Sequence, residues 1–281
     1  MIELLLFYRE SILGSLVLAL GCSVLGVYVV LRRIVFVGAA LAQLSSAGVG
    51  LAVFLVSAGL GLGWLTEELT VSLAVTMAGV VFFGYQAGRQ RIPADAGLGV
   101  AFVVAGGAAV LLVARSATAD MHELFFGGDI LLISPAEIRV LVIVVACVLV
   151  VHALFFKQFL FVSYDPEMAA TLGYRVAAWN LLLYVTFGIV IALAMQYVGV
   201  LLVFSYLVLP GVAGILLGRR LRSVFVVSAA TAGLGTLLGF ILSIAADVPT
   251  GASIIIAMGA LAAGAGGVAR LRRRDVPSRM D

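Results

Sequence analysis

The chain has 281 residues, of which 64% are apolar and only 11% are charged. An average soluble domain is about 45–50% apolar and about 25% charged. The polar residues here are therefore too few to cover a water-soluble core. The same composition excludes disorder of the kind that arises from low hydrophobicity. A polytopic membrane protein is the class that remains.

Two scarce residue types exclude further chemistry. The only cysteines, Cys22 and Cys147, lie in apolar runs without a CxxC pair, which argues against a disulfide scaffold or a zinc ribbon. The single lysine, Lys157, follows Leu154-Phe155-Phe156, whereas a phosphate-binding P-loop needs a glycine directly before its lysine. We therefore expect a chain without cofactor or catalytic residue, in which any ATP-driven work is done by a partner.

Apolar runs between charges predict about nine membrane-spanning helices, because crossing the hydrocarbon core takes about 20 apolar residues. The division between the sixth and seventh rests only on Gln196, Tyr197 and Gly199, so eight helices with a re-entrant piece are the alternative. The predicted fold class is all-α, with residues 1–269 as one transmembrane domain. The predicted spans are 12–31, 37–59, 69–87, 97–114, 137–156, 177–195, 198–218, 223–245 and 251–269.

The charges alternate between the two sides of these spans. One side holds 14 of the 17 basic residues, and the other holds nine of the 14 acids. Because cytoplasmic loops carry the excess of Lys and Arg, the N-terminus is predicted outside and the C-terminus in the cytoplasm. Residues 270–281 then form a basic cytoplasmic tail that faces anionic lipid, since no nucleic-acid-binding motif accompanies them.

Breaks and polar residues inside the spans mark candidate path-lining positions. Pro210-Gly211 interrupts the seventh span, and the proline removes a hydrogen bond within the helix. In lipid the freed carbonyl group must bond to protein or to water in a cavity. The seventh span therefore either lines a path or contains a kink that is packed against other helices. His152, near the inner end of the fifth span, is expected to extend to the interface. Asp247 is either a functional acid or the N-cap of the last span. The GxxxG pairs, 84/88, 214/218 and 235/239, are predicted to allow close helix packing.

Two connections stand out. The outer loop 115–136 has an apolar middle, typical of a short helix or re-entrant segment, and its His122, Glu123 and Asp129 could bind a cation, unless it is a plain solvated loop. The inner segment 163–175 predicts a short amphipathic helix with Asp165 as N-cap and Pro166 as first residue. Such a helix either contacts a cytoplasmic partner or lies in the interface without one. Its remaining predicted contact residues are Glu167, Met168, Ala169, Leu172 and Gly173.

Five stretches resemble the permease family of ATP-driven importers of zinc, manganese and iron. They are VYVVLRRIVFVG, FFGGDILLIS, VSYDPEMAATLG, QYVGVLLVFSYLVLPGVAG and DVPTGASIII. The resemblance implies a subunit of a bacterial or archaeal plasma membrane that pairs with a second copy or a related permease. It also implies an ATP-binding subunit docked on residues 163–175, and an extracytoplasmic metal-binding protein that delivers the ion.

The second span departs from that family. In the zinc and manganese members this span opens with a pattern similar to GDxLSHxxLPG, whereas this chain has GAALAQLSSAG. Ala39 stands at the position of the acid, and Gln43 stands at the position of the histidine. Aspartate and imidazole are ligands that a transition metal prefers, so the metal ligands of this chain are unknown. The candidate path residues are Gln43, Ser46, Gln196, Pro210 and Asp247.

Two other functions of membrane proteins fit these spans less well. A secondary transporter or channel is the main alternative, but proton or ion coupling needs ionisable residues well inside the spans, and only Asp247 comes near. An intramembrane enzyme would need a Ser/His pair, an Asp pair or HExxH in the spans, and the sequence has none of them. The sequence therefore favours an importer permease.

Overall fold

The computed structural model describes residues 8–61, 63–86, 94–116 and 134–274, and within these ranges all regular structure is helical. The helices are α1 Arg9–Leu31, α2 Val35–Ser57, α3 Glu68–Gln86, α4 Ala94–Arg115, α5 Pro135–Leu154, α6 Phe156–Tyr164, α7 Pro166–Thr171, α8 Val176–Leu217, α9 Leu221–Ala246 and α10 Thr250–Arg274, with a 3-10 turn at Gly63–Thr66. Seven of the helices in the described ranges are long and apolar enough to cross a membrane, namely α1, α2, α4, α5, α8, α9 and α10, and α3 is a shorter apolar helix. The predicted all-α class is confirmed.

The longest helix, α8, reverses direction at Gly199. Its 42 residues would span about 63 Å if straight, about twice the hydrocarbon thickness. Yet residues near both of its ends lie beside the C-terminal part of α1: Asn180 bonds Arg32, and Gly211 packs on Gly26. Gly199 makes the reversal with φ 69 and ψ 165. Residues 176–198 therefore form a first arm and residues 200–217 a return arm, with the break inside the stretch that the sequence indicated.

Small residues bring these helices into close contact. A Cβ on Gly26 of α1 would overlap the Leu207 carbonyl oxygen, and one on Gly211 would lie 2.9 Å from the Gly26 carbonyl oxygen. The predicted packing role of Gly235 and Gly239 is confirmed, because α9 meets α10 there without room for a Cβ. The 214/218 pair packs on the start of α9 in the same way, while residue 88 lies outside the described residues.

The turn between α9 and α10 does not use Asp247 as the N-cap of α10. Asp247 ends α9 in the left-handed conformation, with φ 52, and its side chain is exposed. The turn is closed instead by Ser243, whose hydroxyl donates to the Val248 carbonyl at 2.7 Å. The N-cap interpretation is therefore wrong, since α10 begins only at Thr250.

The reversal at Gly199 gives a direct test. Gly199→Ala should lower the unfolding temperature of the purified protein in detergent, because a Cβ at this φ and ψ adds about 1–3 kcal/mol of strain. Gly259→Ala on α10 is the matched control, since a Cβ there meets nothing within 4 Å and alanine is the better helix former. Equal unfolding temperatures for the two variants would contradict the reversal.

Candidate transport path and coupling surface

The middle of α2 carries buried polar side chains with unmet hydrogen-bonding capacity. Gln43 is 6% exposed and Ser46 is 0% exposed. Within the described chain, neither the Gln43 Oε1 atom nor the Ser46 hydroxyl has a hydrogen-bond partner. Oε1 faces α4, where a Cβ on Gly106 would lie 3.3 Å from it. A buried polar group without a partner lowers the free energy of unfolding by about 1–3 kcal/mol, so a functional role is the natural explanation for keeping it.

The next residues of α2 fix this polar strip against α3. Ser45 and Ser72 share a hydrogen bond between their hydroxyl oxygens at 2.7 Å, and Thr76 donates to the Ser72 carbonyl at 2.7 Å. A Cβ on Gly48 would lie 2.5 Å from the Ser72 Cα, so the two backbones nearly touch. The polar strip, defined by Gln43, Ser45, Ser46 and Ser72, offers neutral oxygens and amide groups only. No three His, Cys, Asp or Glu side chains of the described chain come together as a metal site.

A cavity of about 660 Å³ lies between the C-terminal end of α2, the N-terminal ends of α3 and α5, and the part of α8 just before Gly199. Gln196 and Tyr197 line it from α8, and Val56 lines it from α2. Val56 is about 15 Å along α2 from Ser46. Three acidic residues, Glu67, Glu68 and Glu137, also line the cavity. The structure thus places Gln196 of α8 at the cavity, whereas Gln43 and Ser46 lie farther from it along α2.

The other two candidate path residues lie elsewhere. Pro210 is buried in the return arm of α8, one residue before the contact of Gly211 with α1. Asp247 is exposed at the turn between α9 and α10. The predicted cation ligands of the outer loop, residues 122, 123 and 129, lie outside the described residues. The path roles of Pro210 and Asp247 stay predictions.

The predicted inner helix is present as α7. The Asp165 carboxylate accepts a hydrogen bond from the Met168 amide at 2.9 Å, and Pro166 is the first helical residue, as the sequence predicted. Gly173 ends the helix with φ 85, and the Tyr174 amide donates back to the Ala169 carbonyl at 3.0 Å. This pairing is a Schellman motif, which satisfies the last carbonyls. Both ends of α7 are therefore fixed by local hydrogen bonds.

Apolar side chains are exposed on one side of α7 and at its C-terminal end. Met168 is 54% exposed and Leu172 is 61% exposed, while Ala169 on the opposite face is fully buried. Glu167 and Tyr164 are exposed beside them. Rigid exposed apolar groups rimmed by polar ones are typical of interaction sites. Tyr164, Glu167, Met168 and Leu172 are called the α7 surface below.

The residues on either side of α7 in the chain belong to a half-buried polar cluster that the sequence did not predict. Arg32 donates from Nε to the Ser163 hydroxyl and from Nη1 to the Asn180 side-chain oxygen, both at 2.7 Å. Burial lowers the pKa of the Arg32 guanidinium, while the nearby Tyr184 and Tyr28 hydroxyls raise it. The partners of Arg32 are 131 and 148 residues away in sequence, so no local spacing could indicate them.

His152 packs on Tyr28 and Phe159, which lie one helical turn before Arg32 and Ser163. It is 2% exposed, its Nε2 lies 3.0 Å from the Thr186 hydroxyl, and its ring stacks on Phe159 with centroids 4.5 Å apart. The expectation that His152 extends to the interface is therefore wrong. The reason is that α8 supplies a hydrogen-bond partner and α6 supplies a ring to cover it.

An all-helical bundle with apolar spans, a buried polar strip and a rigid inner helix defines a polytopic membrane permease. The chain belongs to the ABC 3 transport family, which it matches over residues 5–265. Its role is that of a transport subunit, and ATP hydrolysis takes place in a separate chain.

Relatives and solved structures agree with this class. The chain is 28% identical over 252 residues to the manganese import system permease protein ScaB of Streptococcus gordonii, covering 89% of this chain and 87% of that protein. It is 26% identical to the manganese transport system membrane protein MntC of Halalkalibacterium halodurans, covering 89% and 83%. It shares its fold with PsaBC of Streptococcus pneumoniae, solved in complex with Fab, at a TM-score of 0.79 and 22% identity, covering 92% and 90% of the two chains.

The unpaired amide oxygen of Gln43 predicts an unusual response to mutation. Gln43→Met should raise the free energy of unfolding by about 1–3 kcal/mol, because methionine fills the site without a polar atom to desolvate. Ser45→Ala should act in the opposite direction, since it leaves the buried Ser72 hydroxyl unpaired. Thermal unfolding in detergent measures both. A Gln43→Met protein that is less stable than wild type would contradict the prediction that this oxygen is unpaired.

Proposed function

We propose that the chain is the membrane-spanning subunit of an ABC importer for a divalent metal ion, with manganese as the substrate. Family membership and relatives named as manganese permeases support this reading. The observation that carries it in the structure is the α7 surface, a rigid apolar helix face of the kind through which a permease would receive force from an ATP-binding subunit.

We propose nine spans, with the N-terminus outside the bacterial plasma membrane and the C-terminus in the cytoplasm. They are α1 to α5, the two arms of α8, α9 and α10, followed by the basic tail 270–281. The reversal at Gly199 supports counting α8 twice, and the 19 residues of α3 approach the length that a span needs. The one-sided distribution of basic residues supports the orientation.

The proposed path starts at the outer cavity and continues along α2. Carboxylates at the cavity wall raise the local concentration of cations by electrostatic attraction. Deeper in, the polar strip offers an unpaired carbonyl oxygen on Gln43 and a free hydroxyl on Ser46. Oxygen ligands and water suit manganese, whereas zinc favours imidazole and thiolate, so the strip supports manganese over zinc. Neutral ligands give weak, transient contact, which favours passage over storage.

The proposed partners follow from the class. An ATP-binding subunit docks on the α7 surface, and an extracytoplasmic metal-binding protein delivers the ion above the outer cavity. Two copies of the permease pair around the path, or one copy pairs with a related permease. ATP stays with the docked subunit, whose closure tilts the permease helices and switches the path from outward- to inward-facing.

Docking of the ATP-binding subunit on the α7 surface can be tested with a substitution that introduces one negative charge. Leu172→Glu should weaken association with the ATP-binding subunit about tenfold or more, because binding would bury a carboxylate against apolar groups. Leu271→Glu is the matched control, since Leu271 is 62% exposed at the inner end of α10 and Leu172 is 61% exposed on α7. Gly173 is a poorer target, because any side chain at its φ of 85 would disturb α7 itself.

Association is measured by co-purification and by surface binding of the ATP-binding subunit to the permease in lipid nanodiscs. Leu172→Glu that binds as well as Leu271→Glu would remove the α7 surface from the docking site. Metal uptake that persists after deletion of the ATP-binding subunit would favour the alternative, a secondary transporter or channel.

The role of Gln43 in transport has its own test. Gln43→Met should reduce saturable manganese uptake into cells that depend on this importer, because it removes the carbonyl oxygen from the polar strip. Since the same variant is expected to be more stable than wild type, loss of uptake at equal protein level cannot come from misfolding. Unchanged manganese uptake would place Gln43 in packing alone.

A further inference from the structure

Arg32 joins three helices at the inner end of the bundle. It follows α1 directly, and its guanidinium donates to Ser163 of α6 and to Asn180 of α8, each at 2.7 Å. Ser163 lies two residues before Asp165, the cap of α7, and Asn180 lies in the second turn of α8. The two hydrogen bonds therefore hold the chain on both sides of α7.

The two hydrogen bonds of Arg32, to Ser163 and to Asn180, are called the clamp below. The geometry of this clamp is specific to arginine. The guanidinium is planar and presents its donors in a fixed fork, so fixing two of them fixes the whole group. The Ser163 hydroxyl donates in turn to the Phe159 carbonyl, which ties the clamp to the backbone of α6. A lysine would present one point charge and could not satisfy both partners in the same directions.

Arg33, the next residue in the chain, differs from Arg32 in its contacts. Arg33 is exposed, has φ 58, and makes no side-chain hydrogen bond among the described residues. Its backbone ends α1 in the left-handed conformation, and the following Ile34 amide donates to the Val29 carbonyl at 3.1 Å. Two consecutive arginines thus differ completely in their contacts, and only Arg32 connects elements.

The clamp continues into the core through contacts that leave little free space. Gly26, on the same helix as Arg32, meets the Leu207 carbonyl of the return arm without room for a Cβ. A Cβ on Gly38, at the start of α2, would lie 2.9 Å from the Leu207 side chain. Closely packed interiors transmit displacement instead of absorbing it. A shift of the inner end of α1 therefore moves the return arm and the start of the helix that carries the polar strip.

We propose that Arg32 is the positioning residue that transmits movement of α7 to α1 and the return arm, and so couples the docked ATP-binding subunit to the transport path. This inference rests on the proposed docking at the α7 surface. Arg32 itself touches neither the ion nor the nucleotide. Its two hydrogen bonds make α7 and the inner end of α1 move together.

The test compares Arg32→Gln, Arg32→Lys and the matched control Arg33→Gln in the complete permease–ATP-binding-subunit complex. Arg32→Gln should keep assembly and ATP hydrolysis but lower manganese uptake per ATP by about twofold to thirtyfold, the usual range for residues along a coupling network. Arg32→Lys should fail to restore the ratio, and Arg33→Gln should leave it at the wild-type value. A lower protein level alone would not change this ratio.

A second measurement follows the clamp in the permease alone. Amide hydrogen exchange should become faster across residues 163–180 in Arg32→Gln and stay as in wild type in Arg33→Gln. If Arg32→Gln does not fold, Ser163→Ala and Asn180→Ala each remove one hydrogen bond and provide the same two readouts. In a double-mutant cycle, Ser163→Ala should add little to Arg32→Gln, since both remove the same contact.

Equal uptake per ATP in the Arg32→Gln and Arg33→Gln complexes would overturn the inference, and so would unchanged exchange across residues 163–180. Failure of the proposed function gives a different result: Leu172→Glu would then bind the ATP-binding subunit as well as Leu271→Glu. The exchange measurement needs no partner, so it tests the clamp even in that case.

Discussion

The hydrocarbon interior offers no water to backbone amides and carbonyls, and this constraint shapes the whole chain. Each break in the helices must satisfy its own polar groups. Three of the helices are followed by a residue in the left-handed conformation: Arg33 after α1, Gly173 after α7 and Asp247 after α9. Gly199 reverses the longest apolar segment within a single residue. These few backbone positions set where helices end, and hence which side chains meet at each face.

The same constraint places α1 at the centre of the structure. Its small residues let the return arm of α8 approach until the backbones touch at Gly26 and Gly211. Its C-terminal end is followed by Arg32, whose partners flank α7. The short helix α7 is thus connected to the packed core by a short series of contacts. A flexible connection would let α7 move without displacing the path.

The polar strip contains both unpaired and paired polar groups. The Gln43 amide oxygen and the Ser46 hydroxyl are buried without partners, which lowers stability, while the adjacent Ser45 and Ser72 hydroxyls are paired. In the proposed path, the unpaired oxygens would be available to a passing cation, and the paired ones would not. The strip combines a fixed α2–α3 contact with two unpaired oxygens, and it lacks the carboxylate and imidazole that would bind a transition metal tightly.

The sequence by itself determined the local features: apolar length fixed the helices, and Asp165 with Pro166 and Gly173 defined α7. It also placed Gln43 on the helix that carries the polar strip. Only the tertiary structure decided the direction of the arms about Gly199 and the burial of His152. It alone showed that Arg32 and Arg33 have different contacts. The physical reason is range: caps and spans depend on residues a few positions apart, whereas the partners of Arg32 lie more than a hundred residues away and meet it only after the helices pack.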